Sequence, residues 1–278
     1  MNIPWKLKSF VFGFIDYFNA SELLYFLQKN VTGRSLADKS LSPEIWEGHK
    51  KYLVKYGAHS KIFEFGGGKS LAQNLFLSDT VQSQIVVDLN PMLDFGLVNS
   101  VREILSEIVS LKSKSPIENL SDLEKYGIKY KAPFDAAKTD FDEKIFDACI
   151  STNTLEHIPG SNIVEIFCEL HRTLKDGGIV SARIDYSDHY AHTDSNITLL
   201  NYLKFCEPSW KKYNHQCHYQ NRLRHYDYIR IFEDSGFKVV EEMLIFDEKN
   251  IPQELENRFA GYDETWKATA AHIVLKKA

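Results

Sequence analysis

The chain has 278 residues, 44% of them hydrophobic, and a formal net charge of −5 at pH 7, a size that suits one decorated domain or two small ones. This composition excludes a collagen, a disordered tail and a short disulfide scaffold. The slight acidity, with lysines and arginines scattered along the chain, argues against a nucleic-acid partner, because such a partner selects for a basic face.

Cysteine usage and hydropathy both indicate a cytoplasmic protein. The four cysteines form no CxxC pair and show no zinc-type spacing with histidine, so reduced thiols are expected. No run approaches the roughly 18 consecutive apolar residues of a membrane span. We therefore predict no integral membrane segment.

The N-terminal residues have helical periodicity. Apolar residues recur at helical spacing over 10–18, which predicts a helix with one apolar stripe. Lys6 and Lys8 before the apolar run weakly resemble a signal peptide, but Asp16 interrupts the run and no cleavage pattern follows, so we expect this segment to belong to the mature protein. Ser21 then predicts the N-cap of a second helix that carries three leucines. We expect residues 1–55 to form a helical extension packed on the main domain, while peripheral membrane contact, coverage of an active site and a homodimer contact stay open.

From residue 61 short apolar strands alternate with helical segments, which predicts a parallel sheet covered by helices on both faces. Two later strands, 237–245 and 271–276, lack a helix of usual length between them and predict an antiparallel closing strand. Residues 185–235, rich in Tyr, His and Asn, predict an inserted cap. The other expected strands are 61–65, 84–88, 146–151 and 178–184, and the expected helices are 70–77, 93–111 and 161–174.

A glycine-rich loop, Glu64-Phe-Gly-Gly-Gly-Lys-Ser70, joins the first strand to the helix that follows. Glycines let the backbone turn sharply and approach a ligand, and the helix N-terminus offers free amide groups. A phosphate-binding P-loop would need glycine at Phe63, and a dinucleotide fingerprint would need its last glycine at Leu71. An adenosylmethionine loop remains, with a turn that only packs helix on strand as the alternative.

Two acidic residues fit adenosylmethionine. Glu64 ends the first strand, where a carboxylate suits the cationic ammonium group of that ligand. Asp88 ends the second strand, 20 residues after Gly68, where it can accept hydrogen bonds from both ribose hydroxyls.

The chain resembles class I S-adenosylmethionine-dependent methyltransferases over residues 55–278. The matching segments are Glu64-Phe-Gly-Gly-Gly68, Val87-Asp88, Phe146-Asp147 with Leu155-Glu-His157, and Leu174-Lys-Asp-Gly-Gly178. Ser70 in place of a glycine and the long stretch 99–131 depart from the family pattern. The resemblance implies an α/β fold with a Rossmann-like, seven-stranded, mostly parallel sheet over 56–278. It also implies S-adenosyl-L-methionine as the cofactor, and the cofactor-binding residues are expected to be Glu64, Phe65, Gly66, Gly67, Gly68, Asp88, Leu89, Asp135, Ala136 and Asn153.

A polar segment follows the fifth strand, where the acceptor is expected. Residues 185–194 contain two histidines and three carboxylates. Methyl transfer to a hydroxyl benefits from a base with a near-neutral pKa, so we predict His189 as the general base, oriented by Asp188 or Asp185, with His192 as second candidate. A solvated loop and a divalent-metal site are the alternatives. The spacing matches no established ligand pattern, and no metal ligand is predicted.

Four further residues are predicted to contact the substrate. His157 is frequent in the resembling family across many substrates, so we expect it beside the site rather than as the base. Two arginines suit bidentate contacts with an oxyanion, with surface salt bridges as the alternative. The four residues are His157, Tyr186, Arg222 and Arg224.

The sequence thus predicts methyl transfer to a small polar acceptor. The cap is similar to caps in methyltransferases associated with bacterial surface-polysaccharide synthesis, which implies a sugar or sugar-nucleotide hydroxyl. The rivals are an N- or O-methyltransferase of a phosphorylated metabolite or a lipid-linked substrate, and a non-catalytic scaffold that retains the fold. A nucleic-acid methyltransferase would carry an Asn-Pro-Pro-aromatic type motif after the fourth strand, where this chain has Ser151-Thr-Asn-Thr154.

Overall fold

The computed structural model describes residues 2–18, 20, 37–247, 251–259, 261 and 263–278. The helix expected from Ser21, with Leu23, Leu24 and Leu27, lies outside the described residues. The helices are α1 (Trp5–Tyr17), α2 (Pro43–Lys55), α3 (Ala72–Phe76), α4 (Phe95–Ile108), α5 (Gly160–Thr173), α6 (Glu207–Trp210) and α7 (His225–Asp234). The strands are β1 (Lys61–Phe65), β2 (Ser83–Val87), β3 (Ile128–Lys131), β4 (Phe146–Thr152), β5 (Leu174–Asp185), β6 (Phe237–Phe246) and β7 (Ala268–Lys277).

The strands form one seven-stranded sheet in the order β3-β2-β1-β4-β5-β7-β6. Strands β1 to β5 run parallel, whereas β7 runs antiparallel to both β5 and β6. This architecture confirms the predicted fold class, including the antiparallel closing strand. The strand order reverses between β1 and β4, and ligands of open α/β sheets bind outside the carboxyl ends of the strands at such a point.

Two hydrophobic cores cover the two faces of the sheet, because successive strand residues point to opposite faces. In β1, Ile62 packs in one core and Phe63 in the other. Helices α2, α3 and α4 contribute to the first core, and α5 and α7 to the second. The buried residues of α5 follow helical spacing, which fixes the face that it turns to the sheet. They are Ile163, Ile166, Phe167 and Leu170.

The cap between β5 and α7 has its own core, which α1 completes. Trp5, Phe12 and Ile15 of α1 pack there with buried cap residues such as Tyr190 and Trp210. Two boundaries differ from the expected ones. Helix α2 packs on the sheet rather than with the N-terminal extension, and α7 also packs on the sheet, so the insertion ends before α7 rather than at residue 235.

Two further properties concern the chain as a whole. None of the described helices has the length and apolar character needed to span a bilayer. The cysteines Cys149, Cys168, Cys206 and Cys217 all have free thiols.

Candidate active site

The glycine loop between β1 and α3 has two residues in the left-handed region. Gly66 has φ +80° and Gly68 has φ +71°, which only glycine adopts readily. A Cβ at Gly66 would clash with the Thr154 side chain, and one at Gly67 would clash with Val86. No atom lies within 4 Å of a Cβ placed on Gly68. Protein packing therefore requires the first two glycines, whereas Gly68 faces open space.

Glu64 has a different role from the expected one. The side chain is 3% exposed, and it accepts hydrogen bonds from Gln73 Nε2 at 3.0 Å and Asn74 Nδ2 at 2.5 Å. Burial raises the pKa of Glu64 to about 7, although both hydrogen bonds lower it. The predicted contact with a ligand ammonium group is wrong for this geometry, because the carboxylate lies under the loop and holds the start of α3 in place.

Asp88 lies directly after β2, as expected for a ribose-binding carboxylate. Its Oδ2 accepts hydrogen bonds from the Tyr130 hydroxyl at 2.9 Å and from Gly68 N at 3.1 Å, whereas Oδ1 is 3.4 Å from the same amide. Burial raises the pKa of Asp88 to about 6 against these hydrogen bonds. Tyr130 was not predicted, since it belongs to the short strand β3, whose place in the sheet the sequence did not define. Its hydroxyl orients Asp88, whose Oδ1 has a longer contact with Gly68 N, at 3.4 Å.

A cavity of about 460 Å³, the glycine-loop cleft, opens beside these residues at the carboxyl ends of β1, β2 and β4. Its volume lies within the range of about 300–1,000 Å³ typical of small-molecule sites. All the predicted cofactor residues except Glu64 and Gly67 line it. Further lining residues were not predicted, and they come from the loops after β2, β3 and β4 and from the start of α5: Asn90, Met92, Phe134, Ala137, Thr154, Ile158, Pro159, Asn162 and Ile166.

A second cavity of about 420 Å³, the polar pocket, shares Asn153 and His157 with the glycine-loop cleft. Asn153 lies directly after β4 and has a φ of +49°. Its backbone N–H donates to the Arg183 carbonyl at 2.8 Å. His157 Nδ1 lies 2.9 Å from the Tyr219 carbonyl oxygen. The other residues that line the polar pocket are Glu156, Asp185, His189, His192, Gln216, Cys217, His218 and Tyr219.

Asp185 lies between two histidines of the polar pocket. Its Oδ2 is 3.6 Å from His189 Nε2 and 3.7 Å from His192 Nε2, and its Oδ1 accepts from the Ser187 hydroxyl at 2.6 Å. Burial alone would raise the pKa of Asp185, but His189 and Ser187 together lower it to about 2. The structure thus places an ionised carboxylate beside both candidate bases.

Asp188 does not share this role. It is fully buried, and its oxygens accept from Asn201 Nδ2 at 3.1 Å and from the Tyr190 amide at 2.9 Å. Burial raises its pKa to about 6 despite these bonds. The expectation that Asp188 orients His189 is wrong, because both oxygens stabilise a turn inside the cap.

The two arginines that were predicted to bind an oxyanion are also buried. Arg224 is 0% exposed and donates to the carbonyls of Tyr186, Trp266 and Ala268. Arg222 is 4% exposed and donates to two cap carbonyls and to Glu207. The predicted substrate contact is wrong for both arginines, since Arg224 donates to β7 and Arg222 donates to residues within the cap.

Tyr186 is likewise placed away from both cavities. It is 1% exposed, its hydroxyl lies 3.2 Å from His225 Nδ1, and its ring stacks on Tyr228. The predicted substrate contact is therefore wrong for Tyr186 as well. Of the predicted substrate residues, only His157 lines the glycine-loop cleft or the polar pocket of the described chain. Arg222 lines a separate cavity of about 230 Å³.

The sequence and the fold were then compared with known proteins. Residues 113–182 match the family model described as "Methyltransferase domain". The matched segment, about a quarter of the chain, is similar to a methyltransferase domain. This match, on the fold described above, confirms the predicted enzyme class and its cofactor, S-adenosyl-L-methionine.

Solved structures share the fold of the methyltransferase domain at low sequence identity. A provisionally named sarcosine dimethylglycine methyltransferase from Galdieria sulphuraria has a TM-score of 0.54 at 15% identity, over 86% of this chain and 88% of that one. A chain of the complex between the Haloferax volcanii Trm112 methyltransferase activator and a methyltransferase has a TM-score of 0.51 at 15% identity. The match covers 91% of this chain and 97% of that one. The geranyl diphosphate C-methyltransferase of Streptomyces coelicolor A3(2) has a TM-score of 0.50 at 11% identity. The match covers 84% of this chain and 77% of that one. No curated protein sequence matches the chain.

Proposed function

We propose that this methyltransferase binds S-adenosylmethionine in the glycine-loop cleft and methylates a hydroxyl of a small polar acceptor, a sugar or sugar nucleotide, in the polar pocket. The observation that carries the proposal is that two cavities of opposite chemistry meet at Asn153 and His157. Methyl transfer is an in-line displacement, so alignment of nucleophile, methyl carbon and sulfur supplies much of the catalysis. Adjoining donor and acceptor cavities provide that alignment.

The lining of the glycine-loop cleft supports this placement of the cofactor. The Oδ1 of Asp88, which accepts a long hydrogen bond of 3.4 Å from Gly68 N, suits the ribose hydroxyls. The apolar wall formed by Leu89, Phe134 and Ala136 suits the adenine ring. Asp135 lines the same wall, and its Oδ1 caps the Ala137 amide at 2.9 Å. Gly68, which has open space before it, admits the amino-acid end of the cofactor.

A histidine that accepts the hydroxyl proton remains part of the proposal, but access favours His192. The His192 side chain is 37% exposed, whereas that of His189 is 13% exposed and its Nε2 is buried. A general base must reach the proton that it removes. We therefore assign proton acceptance to His192, supported by Asp185, and expect His192→Ala to lower kcat about 100-fold or more with little change in cofactor affinity.

A lipid-linked acceptor is the second candidate, and the outer face of α1 favours it. Leu7, Phe10, Phe14 and Tyr17 are each more than half exposed on that face, a pattern found in helices that lie on a membrane surface. Co-sedimentation with phosphatidylglycerol vesicles tests this candidate. Binding that a Phe10→Ser, Phe14→Ser variant loses would support a lipid-linked acceptor, and equal recovery of both proteins in the supernatant would exclude it.

Calorimetric titration with S-adenosylhomocysteine tests the cofactor half of the proposal. Asp88→Ala removes hydrogen bonds to a charged acceptor, which contribute about 1.5–3 kcal/mol, so we expect affinity to fall about 10- to 100-fold. Asp142→Ala is the matched control, because Asp142 is exposed and lines neither cavity. ATP and NAD should not bind. A folded protein that fails to bind S-adenosylhomocysteine would contradict the proposal.

A methyl-transfer screen over sugars, sugar nucleotides, amines and phosphorylated metabolites tests the acceptor half. We expect a methyl ether on a hydroxylated acceptor. Transfer to amines alone would overturn the hydroxyl assignment while leaving the cofactor site intact.

A further inference from the structure

Glu156 is a buried acid without a partner at the floor of the polar pocket. It belongs to the short 3-10 helix Leu155–His157 and is 2% exposed. Neither carboxylate oxygen has a hydrogen-bond partner within the described residues. An unpaired buried carboxylate costs several kcal/mol unless it takes up a proton or meets a cation.

The nearest positive charge does not satisfy Glu156. Arg183 acts on it at a distance, but its Nη1 donates to the carbonyls of Ala271 and Ile184 at 3.1 and 3.4 Å. Asp185 adds a second negative charge to the same neighbourhood. Either a proton or a bound cation must therefore neutralise Glu156.

Two imidazoles face the same point as Glu156. One ligand atom each from Glu156, His157 and His189 lie within 4.8 Å of one another. Ligands at about 2.1 Å from a tetrahedral ion are about 3.4 Å apart. Side-chain movements of about 1 Å would thus close the three groups around an ion.

Each imidazole has a nitrogen available. His157 Nδ1 lies 2.9 Å from the Tyr219 carbonyl oxygen, so this nitrogen carries the proton and donates it. Nε2 is then left as the lone-pair ligand, the arrangement that orients most metal-binding histidines. His189 Nε2 is buried and lies 3.6 Å from Asp185 Oδ2, with no partner at hydrogen-bond distance in the described part of the chain. The two rings lie 4.9 Å apart between centroids.

We propose that Glu156, His157 and His189 bind a divalent transition-metal ion at the floor of the polar pocket. Two imidazoles and one carboxylate suit Mn²⁺, Fe²⁺ or Zn²⁺, whereas Mg²⁺ prefers an all-oxygen ligand set. The proposal replaces two expectations from the sequence. The site contains metal ligands, and His189 is one of them rather than the general base.

The consequence for chemistry rests on the proposed function. Three protein ligands leave coordination positions open toward the polar pocket, where an acceptor hydroxyl can bind and lose its proton more readily. The oxygen then forms its bond to the methyl carbon as the bond from carbon to sulfur breaks. The sulfonium becomes a neutral thioether, and the proton passes to His192.

The test is metal binding by the full, tag-free chain after treatment with EDTA, without cofactor or acceptor. Mn²⁺ is titrated by calorimetry and by electron paramagnetic resonance, with Zn²⁺ as competitor and Mg²⁺ for comparison. We expect one Mn²⁺ per chain, displacement by Zn²⁺ and weaker binding of Mg²⁺. Because nothing but metal is added, the result is independent of the proposed function, which the titration with S-adenosylhomocysteine tests separately.

Variants locate the bound ion. Glu156→Gln and His189→Ala should each weaken Mn²⁺ binding at least tenfold, whereas Glu165→Gln, an exposed position on α5, should not change it. Glu156→Gln removes a buried charge at constant shape, so its metal-free form should melt no lower than the wild-type protein. The proposal is overturned if folded wild-type chain binds neither Mn²⁺ nor Zn²⁺, if Mg²⁺ binds as tightly as Mn²⁺, or if both variants bind Mn²⁺ like the wild type.

Discussion

Two glycines of the cofactor loop both have a left-handed backbone conformation, but their surroundings differ. Gly66 packs against Thr154, whereas Gly68 faces the open glycine-loop cleft. A left-handed backbone costs a side chain about 1–2 kcal/mol at either position. The clash with Thr154 adds to this cost at Gly66 alone. The two positions therefore separate the stability of the loop from its access to a ligand.

We predict that Gly66→Ala destabilises the protein by more than about 2 kcal/mol, because strain and clash add. Gly68→Ala should cost about 1–2 kcal/mol but weaken S-adenosylhomocysteine binding, since its methyl group enters the cleft. Urea unfolding and calorimetry of both variants measure these effects. If Gly68→Ala binds S-adenosylhomocysteine like the wild type, Gly68 does not face the cofactor.

Helix α1 connects the N-terminus to one wall of the polar pocket. Its Phe12 ring stacks on His218 at 4.5 Å between centroids, and Asp16 accepts from the amides of Gln216 and Cys217. Ser9 Oγ lies 2.9 Å from His215 Nε2. These contacts hold the segment 215–218 in place, so α1 is part of the framework of the site.

We predict that Phe12→Ala lowers the free energy of unfolding by about 3 kcal/mol, since a buried aromatic ring leaves a cavity. Phe10→Ala is the matched control on the same helix, and its ring is 72% exposed, so it should change stability by less than about 0.5 kcal/mol. Urea denaturation measures both. Equal effects would show that α1 does not pack on the cap in solution.

At the scale of the whole molecule, elements that are buried in the core could be predicted from the spacing of apolar residues in the sequence. Buried strands appeared as short apolar runs and the glycine loop as a break between strand and helix, so every strand except β3 was located from the sequence. Residue type alone does not reveal burial, which is why Arg222 and Arg224 were wrongly predicted to contact the substrate. Glu156 was missed because the 3-10 helix that directs it inward has only three residues, too few to show a periodic pattern in the sequence.

The pH dependence of stability follows from the same burial of charge. The folded chain holds the proton of Glu64 up to a pKa of about 7, against an ordinary value of 4.5. Between these values the folded state binds more protons than the unfolded one, so stability falls as pH rises from about 4.5 to about 7. This difference in pKa between the folded and unfolded states corresponds to about 3 kcal/mol of stability. That contribution is lost completely above pH 7.

We predict that Glu64→Gln removes this share of the pH dependence. The amide keeps the shape of the carboxyl but does not ionise, so any cost of its altered hydrogen bonds to Gln73 and Asn74 is the same at every pH. The difference in free energy of unfolding between variant and wild type should therefore shift by about 3 kcal/mol in favour of the variant between pH 4.5 and pH 8. Urea unfolding at both pH values measures it, with Glu165→Gln as the exposed control. A constant difference would mean that Glu64 ionises in the folded protein as it does in the unfolded chain, and hence that water reaches the underside of the glycine loop.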